Sequence, residues 1–188
     1  LVALILMFGT ISGAHFNPVV TLSEAWQKNM PRSEVLPYIA VQVAGAFAGV
    51  AGAHLMFGDP VFFASEHIRT GPAQWWSEFV ATFGLIAVII GCSRSRPSIT
   101  PFAVAAYITA AYWFTSSTSF ANPAVTLARS ATNTFAGIRP VDTPGFIAAQ
   151  LLGASVATLV FCWLYPAPPE GATVAGTVAP GDFTTQPE

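Results

Sequence analysis

The sequence predicts an all-α integral membrane protein built as an inverted repeat around two re-entrant half-helices. Three observations lead there. Of the 188 residues, 53% are hydrophobic and only 9% are charged, against about 25% charged in a soluble domain. Several apolar runs approach or reach the ~20 residues that a membrane-spanning helix needs. A short motif, Asn-Pro-x-Val-Thr-Leu, occurs at 17–22 and again at 122–127, with an odd number of those runs between the copies.

The composition also excludes much. Seven Lys+Arg and nine Asp+Glu, for a net charge of −2, cannot coat a globule of this size. No basic patch exists to neutralise phosphates, so nucleic acid is not an expected partner. No paired carboxylates, metal-ligand cluster or nucleophile–base set is spaced for chemistry, so an enzyme, a cofactor and a metal are not expected. Cys92 and Cys162 lie in apolar runs and read as packing residues rather than a disulfide framework. No basic segment followed by a short apolar core marks a signal peptide. Leu1 already sits inside an apolar run, which suggests a chain starting partway through a longer protein.

Taken in order, residues 1–13 read as the end of one span. Residues 35–57 form a full-length span, 73–92 another with Trp75 and Trp76 as interfacial anchors, 99–115 a fourth and 145–164 a fifth. Residues 1–165 make one membrane domain. The tail from Pro166 to 188, rich in Pro, Gly and Thr, reads as disordered. Small residues recur every fourth position at Gly45, Gly49 and Ala53, and at Gly145, Ala149, Gly153 and Ala157, where helix backbones can approach closely. Lys28, Arg32, Arg94 and Arg96 gather on one side. Arg69 and Arg139 lie on the other, with Arg129 if it is at the surface. The first side is therefore assigned as cytoplasmic.

The two motif copies match at five of six positions, offset by 105 residues. A second pair, Gln42-Val-Ala-Gly-Ala and Gln150-Leu-Leu-Gly-Ala, follows in the same order at nearly the same offset. Three runs separate the copies, so they lie on opposite sides of the membrane, a plan used by many transport proteins. Asn is a strong N-cap and Pro is favoured at the first helical position, so 17–28 and 122–132 read as short helices starting at Asn17 and Asn122. Each spans about half a bilayer at 1.5 Å per residue. The non-helical stretches before them, 12–16 and 118–121, survive at membrane depth only if buried in protein or lining a water-filled path.

At this point the chain resembles the aquaporin, or major intrinsic protein, family. The carrying motifs are Ser12-Gly13-Ala14-His15-Phe16-Asn17-Pro18, Phe120-Ala121-Asn122-Pro123-Ala124, and Glu78 with Thr82 four residues on. The resemblance covers residues 1–165. It implies a fold of six spanning helices and two half-helices, with the first span and its glutamate missing here. It also implies a homotetramer with one pore per subunit, embedded in the lipid of the cell (inner) membrane as a multi-pass protein. The asparagine amides of the two Asn-Pro motifs, completed by Val19 and Ala124, would donate hydrogen bonds to a permeant oxygen. Backbone carbonyls of Gly13, Ala14 and His15, and of Thr118 and Ser119, would accept them. Paired positive helix ends then disfavour cations and hydrated protons, an established property of aquaporin-type channels rather than a deduction from this chain.

Glu78, a carboxylate inside an apolar helix, normally faces a bundle interior. The resemblance gives it the task of bracing a re-entrant loop; the alternative is snorkelling beside Trp75 and Trp76. His15 reads either as a pore-lining group or as a structural hydrogen bonder. The sequence departs from the family pattern at Val19, where Ala is usual, and at Val125, where an arginine normally narrows the pore. Twelve residues before Asn122, Ala110 stands where water-selective members usually have histidine. Ala110, Ser119 and Val125 thus form an expected uncharged filter. Arg129, one turn beyond Val125, is either part of the mouth or a surface residue. The implied function is a passive channel for small neutral solutes: water, glycerol-like polyols and, from a likeness to bacterial members associated with arsenic resistance, neutral metalloid or methylated arsenic species. The alternatives are a truncated, non-conducting membrane remnant and a secondary transporter.

Overall fold

The computed structural model describes residues 1–166, so the expectation for the tail falls almost wholly outside the described residues. Among the described residues the helices are α1 (Val2–Ser12), α2 (Pro18–Trp26), α3 (Arg32–Phe57), α4 (Pro72–Ser95), α5 (Thr100–Phe114), α6 (Pro123–Arg129) and α7 (Thr143–Leu164). Short 3-10 turns at Pro97–Ile99 and Pro140–Asp142 lead into α5 and α7. Helix ends follow local chemistry. Proline occupies an opening position of α2, α4, α5, α6 and α7, where its missing N–H costs nothing. Gly13 and Gly58 stop α1 and α3 in the left-handed conformation, with φ of 79° and 76°.

Three helical segments are long and apolar enough to cross a membrane: Arg32–Phe57, Pro72–Ser95 and Pro140–Leu164. The run expected at 99–115 folds as a helix of 15 residues, about 22 Å long, which is less than a full hydrocarbon core. The second short helix also ends earlier than expected. Ser130 N–H and Oγ both bond Leu127 O, at 3.1 and 2.7 Å, tightening the chain out of the α-helix after Arg129. Arg94 Nη2 donates to Gln27 Oε1 at 2.6 Å, joining the C-terminal ends of α4 and α2. At the other end, Arg139 N–H bonds His67 O at 2.9 Å.

The core is thin and built from small and β-branched side chains. Val19, Ala81, Ile86, Ile90 and Ala157 are all at most 1% exposed. Large apolar side chains point outward instead: Leu36, Val41, Leu55, Trp113 and Trp163 are exposed, as expected of a surface that meets lipid rather than water. The two small-residue stripes fare differently. A Cβ placed on Gly153 would lie 2.5 Å from Phe79 O and 3.1 Å from Phe83 N, so α7 rests directly on the α4 backbone. A Cβ on Gly45 or Gly49 would meet nothing within 4 Å. The α7 stripe is buried against α4, and the matching face of α3 is open.

The α4–α7 contact yields a prediction. Gly153→Ala forces backbone apart and should destabilise by about 1–3 kcal/mol, as overpacking does. Gly91→Ala, in open space on α4, should not. Thermal unfolding in detergent checks this; equal midpoints for both variants would mean that α4 and α7 are not in direct backbone contact.

Candidate functional site

Asn17 and Asn122 are extended residues capping α2 and α6, with φ of −157° and −158°. Asn17 Oδ1 accepts the Val19 N–H at 3.1 Å; Asn122 Oδ1 accepts those of Ala124 and Val125 at 3.0 and 3.3 Å. The amide nitrogens reach across. Asn17 Nδ2 donates to Ala121 O at 2.7 Å, and Asn122 Nδ2 donates to Phe16 O at 2.8 Å. Each bond ends on the carbonyl just before the other asparagine, so the two helix N-termini face each other. Each amide has two N–H groups, which leaves one per asparagine for a passing oxygen. The repeat extends to the threonine four residues on. Thr21 Oγ1 takes a bond from Gln42 Nε2 at 3.0 Å, and Thr126 Oγ1 one from Gln150 Nε2 at 2.9 Å.

The approach loops are strained in a matched way. Gly13, Ala14 and Phe16 have φ of 79°, 49° and 50°; Thr118, Ser119 and Ala121, each 105 residues later, have 60°, 49° and 47°. Five of these six are not glycine, and each costs about 1–2 kcal/mol in the left-handed region. Such a backbone persists only where its surroundings hold it. For the second loop the holder is Glu78, which is fully buried. Its Oε1 accepts Ser117 Oγ–H at 2.6 Å and Phe120 N–H at 2.8 Å; its Oε2 accepts Ala121 N–H at 2.8 Å and Gln150 Nε2–H at 2.7 Å. This geometry leaves no room for snorkelling. The first loop is held more lightly. Tyr38 Oη donates to Ser12 O at 2.8 Å, and His15 Nδ1 lies 3.1 Å from Thr21 Oγ1.

A cavity of about 550 Å³ runs past both asparagines. Gly13, Ala14, His15 and Asn17 line it from the first loop; Ser119, Asn122 and Val125 line it from the second half. His15 therefore both lines the space and bonds a neighbour. Pro18, Val19, Pro123 and Ala124 are buried in the packing behind the asparagines. Thr118 does not line the cavity; its hydroxyl faces Arg69 Nη1 at 3.5 Å. Ala110 needs correction. It is exposed, and the α5 residues facing the cavity are Thr100, Val104, Ile108 and Tyr112, one every four positions. At 3.6 residues per turn, residue 110 points roughly the opposite way from 108 and 112.

Sequence reasoning missed Arg69. It is 7% exposed, and its guanidinium donates to Gly137 O at 2.8 Å, Phe135 O at 2.9 Å and Ser117 O at 3.1 Å. It ties the connection before α4 to both ends of the second re-entrant segment. Burial, and then the Arg129 guanidinium, lower its pKa, with Glu78 opposing them. A lone arginine in a loop carries no spacing signal that would have singled it out.

Removing Glu78 tests the bracket. Glu78→Ala strands four buried donors, at about 1–3 kcal/mol each, and should abolish monodisperse protein on size exclusion. Glu78→Gln keeps one acceptor and should remain monodisperse with a thermal midpoint below wild type. Wild-type stability of the alanine variant would show that Glu78 does not hold the loop.

Comparisons with known proteins agree with this architecture. Residues 1–114 match the family described as Major intrinsic protein. The chain is 56% identical over 164 residues to Aquaglyceroporin AqpS of Rhizobium meliloti, covering 87% of this chain and 70% of that one. It is 36% identical over 115 residues to a Glycerol uptake facilitator protein of Streptococcus pneumoniae, covering 53% of this chain and 49% of that one. It is 32% identical over 110 residues to Aquaporin NIP3-1 of Arabidopsis thaliana, covering 53% and 34%. Two facing asparagine-capped half-helices around a common cavity, together with these matches, identify the chain as a member of the major intrinsic protein family.

Proposed function

We propose that the chain forms a passive membrane pathway for water and glycerol-like solutes. The observation that carries this is the cavity running past two amides, each with an N–H to spare, between facing helix N-termini. Such a site offers donors to one oxygen at a time and meets cations with two positive helix ends. The names aquaglyceroporin and glycerol uptake facilitator, printed for two relatives, favour the same solutes. Neutral metalloid hydroxides and methylated arsenic species are the finer proposal, resting on Val125 at the position where a guanidinium is usual. A homotetramer in the cell (inner) membrane, with the Lys28 and Arg94 end cytoplasmic, belongs to the same proposal.

The open face of α3 has a place in this reading. Gln150 donates both to Thr126 and to Glu78, whereas among the described residues its counterpart Gln42 donates only to Thr21. His15 N–H, the counterpart of Phe120 N–H, reaches only Tyr38 Oη, at 3.4 Å. A carboxylate-bearing helix laid on Gly45 and Gly49, as α4 lies on α7, would complete a second bracket. Among the described residues the first loop has fewer supports than the second.

Osmotic swelling of proteoliposomes with water, glycerol and arsenite tests the function, using the complete gene product. Swelling above protein-free liposomes is expected, and none would defeat the proposal. Val125→Arg places a long donor-rich cation in the path. It should slow glycerol and larger solutes by about tenfold while water changes much less. Val125→Ala should leave the larger solutes unaffected or faster. Equal slowing of water and glycerol by Val125→Arg would mean that residue 125 does not discriminate among solutes.

A further inference from the structure

Seven residues beyond each asparagine, the two copies of the repeat carry opposite charges: Glu24 and Arg129. Both line the cavity that passes Asn17 and Asn122. The cavity lining therefore carries a carboxylate toward one end and a guanidinium toward the other. Glu24 is engaged, since Asn29 Nδ2 donates to its Oε2 at 2.7 Å. Arg129 is far less so. Its Nη2 donates to Tyr112 Oη at 3.3 Å, and its guanidinium carbon lies 4.3 Å over the Phe120 ring. The ring contact positions the cation without using an N–H. The one ion pair among the described residues joins Arg139 to Asp142, so no carboxylate among them neutralises Arg129.

Two neighbours sharpen the contrast. Arg69 sits 5.0 Å from the same ring, but its donors are spent on backbone carbonyls. Ser119, next to Phe120, lines the cavity at 2% exposure, and its Oγ has no hydrogen-bond partner among the described residues. A buried hydroxyl left unmatched costs about 1–3 kcal/mol, unless something that enters the cavity satisfies it. One end of the path thus holds guanidinium N–H groups without acceptors and a hydroxyl without a partner among the described residues.

We propose that Arg129, Tyr112 and Ser119 form a solute-recognition station one helical turn outward of Val125. It takes small polyols and other neutral solutes that present two or more oxygens, and its charge turns cations away. This rests on the channel reading above. Arg129 here supplies the positive charge that Val125 does not.

Two measurements on the complete gene product in liposomes test the station. The first is labelling with phenylglyoxal, an arginine-selective dicarbonyl, read by mass spectrometry. Arg129 should be modified and Arg69 spared, and glycerol or erythritol should protect Arg129. Ser119→Ala should weaken that protection. The second is flux. Arg129→Ser should raise methylammonium permeability by about tenfold, because the focused positive potential is gone, with water little changed. Arg129→Lys should keep methylammonium out, and Tyr112→Phe should keep it out while weakening polyol protection. An unmodified Arg129, modification without polyol protection, or no methylammonium gain in Arg129→Ser would each overturn the station. If the unaltered protein carries no water, the channel reading fails, and the protection result alone decides whether Arg129 binds polyols.

Discussion

Two helix N-termini meeting inside the protein is the constraint on which the rest of the structure depends. Each end presents backbone N–H groups that need acceptors, and each follows a loop forced into left-handed geometry. The asparagines answer both demands at once. Their carbonyl oxygens cap their own helices, and their amide nitrogens bond the carbonyl preceding the opposite cap. Each half is thereby held by the other. The threonines four residues on, with Gln42 and Gln150, repeat the arrangement one layer out.

The two halves are not equally secured, and the difference organises the molecule. The second loop is gripped by a fully buried carboxylate with four donors and by a guanidinium with three carbonyl acceptors. The first has a tyrosine hydroxyl and a histidine–threonine contact. The same asymmetry recurs in packing, where a Cβ on Gly153 would run into the α4 backbone and one on Gly45 would meet nothing within 4 Å among the described residues. It recurs again in charge, with Glu24 and Arg129 at equivalent places. An inverted repeat with equal backbones can therefore be polar along its path, because side chains seven residues from the caps are free to differ.

Much of this was legible in the sequence, and the reasons are local. Asn-Pro written twice announces two helix starts, and the odd number of runs between the copies announces opposite entry. The buried setting of Glu78 follows from a carboxylate in an apolar helix. What sequence spacing handled badly was rotation. Counting back from Asn122 pointed to Ala110, yet the α5 face toward the cavity carries Ile108 and Tyr112. The counting runs through a non-helical loop, where residue number no longer measures angle. Arg69 was invisible for a related reason, since its acceptors are backbone carbonyls distributed over residues 117–137 that only the folded chain gathers.

The central claim is that the asparagine amides cross between the two half-helices. Solid-state NMR can measure it directly in lipid, through dipolar contacts between asparagine side-chain nitrogens and the labelled carbonyls of alanine and phenylalanine. Two such contacts are expected. Asn17→Ser should remove the one to Ala121, and Asn122→Ser the one to Phe16. Side-chain nitrogens coupled to neither carbonyl would contradict the facing arrangement, and with it the pathway.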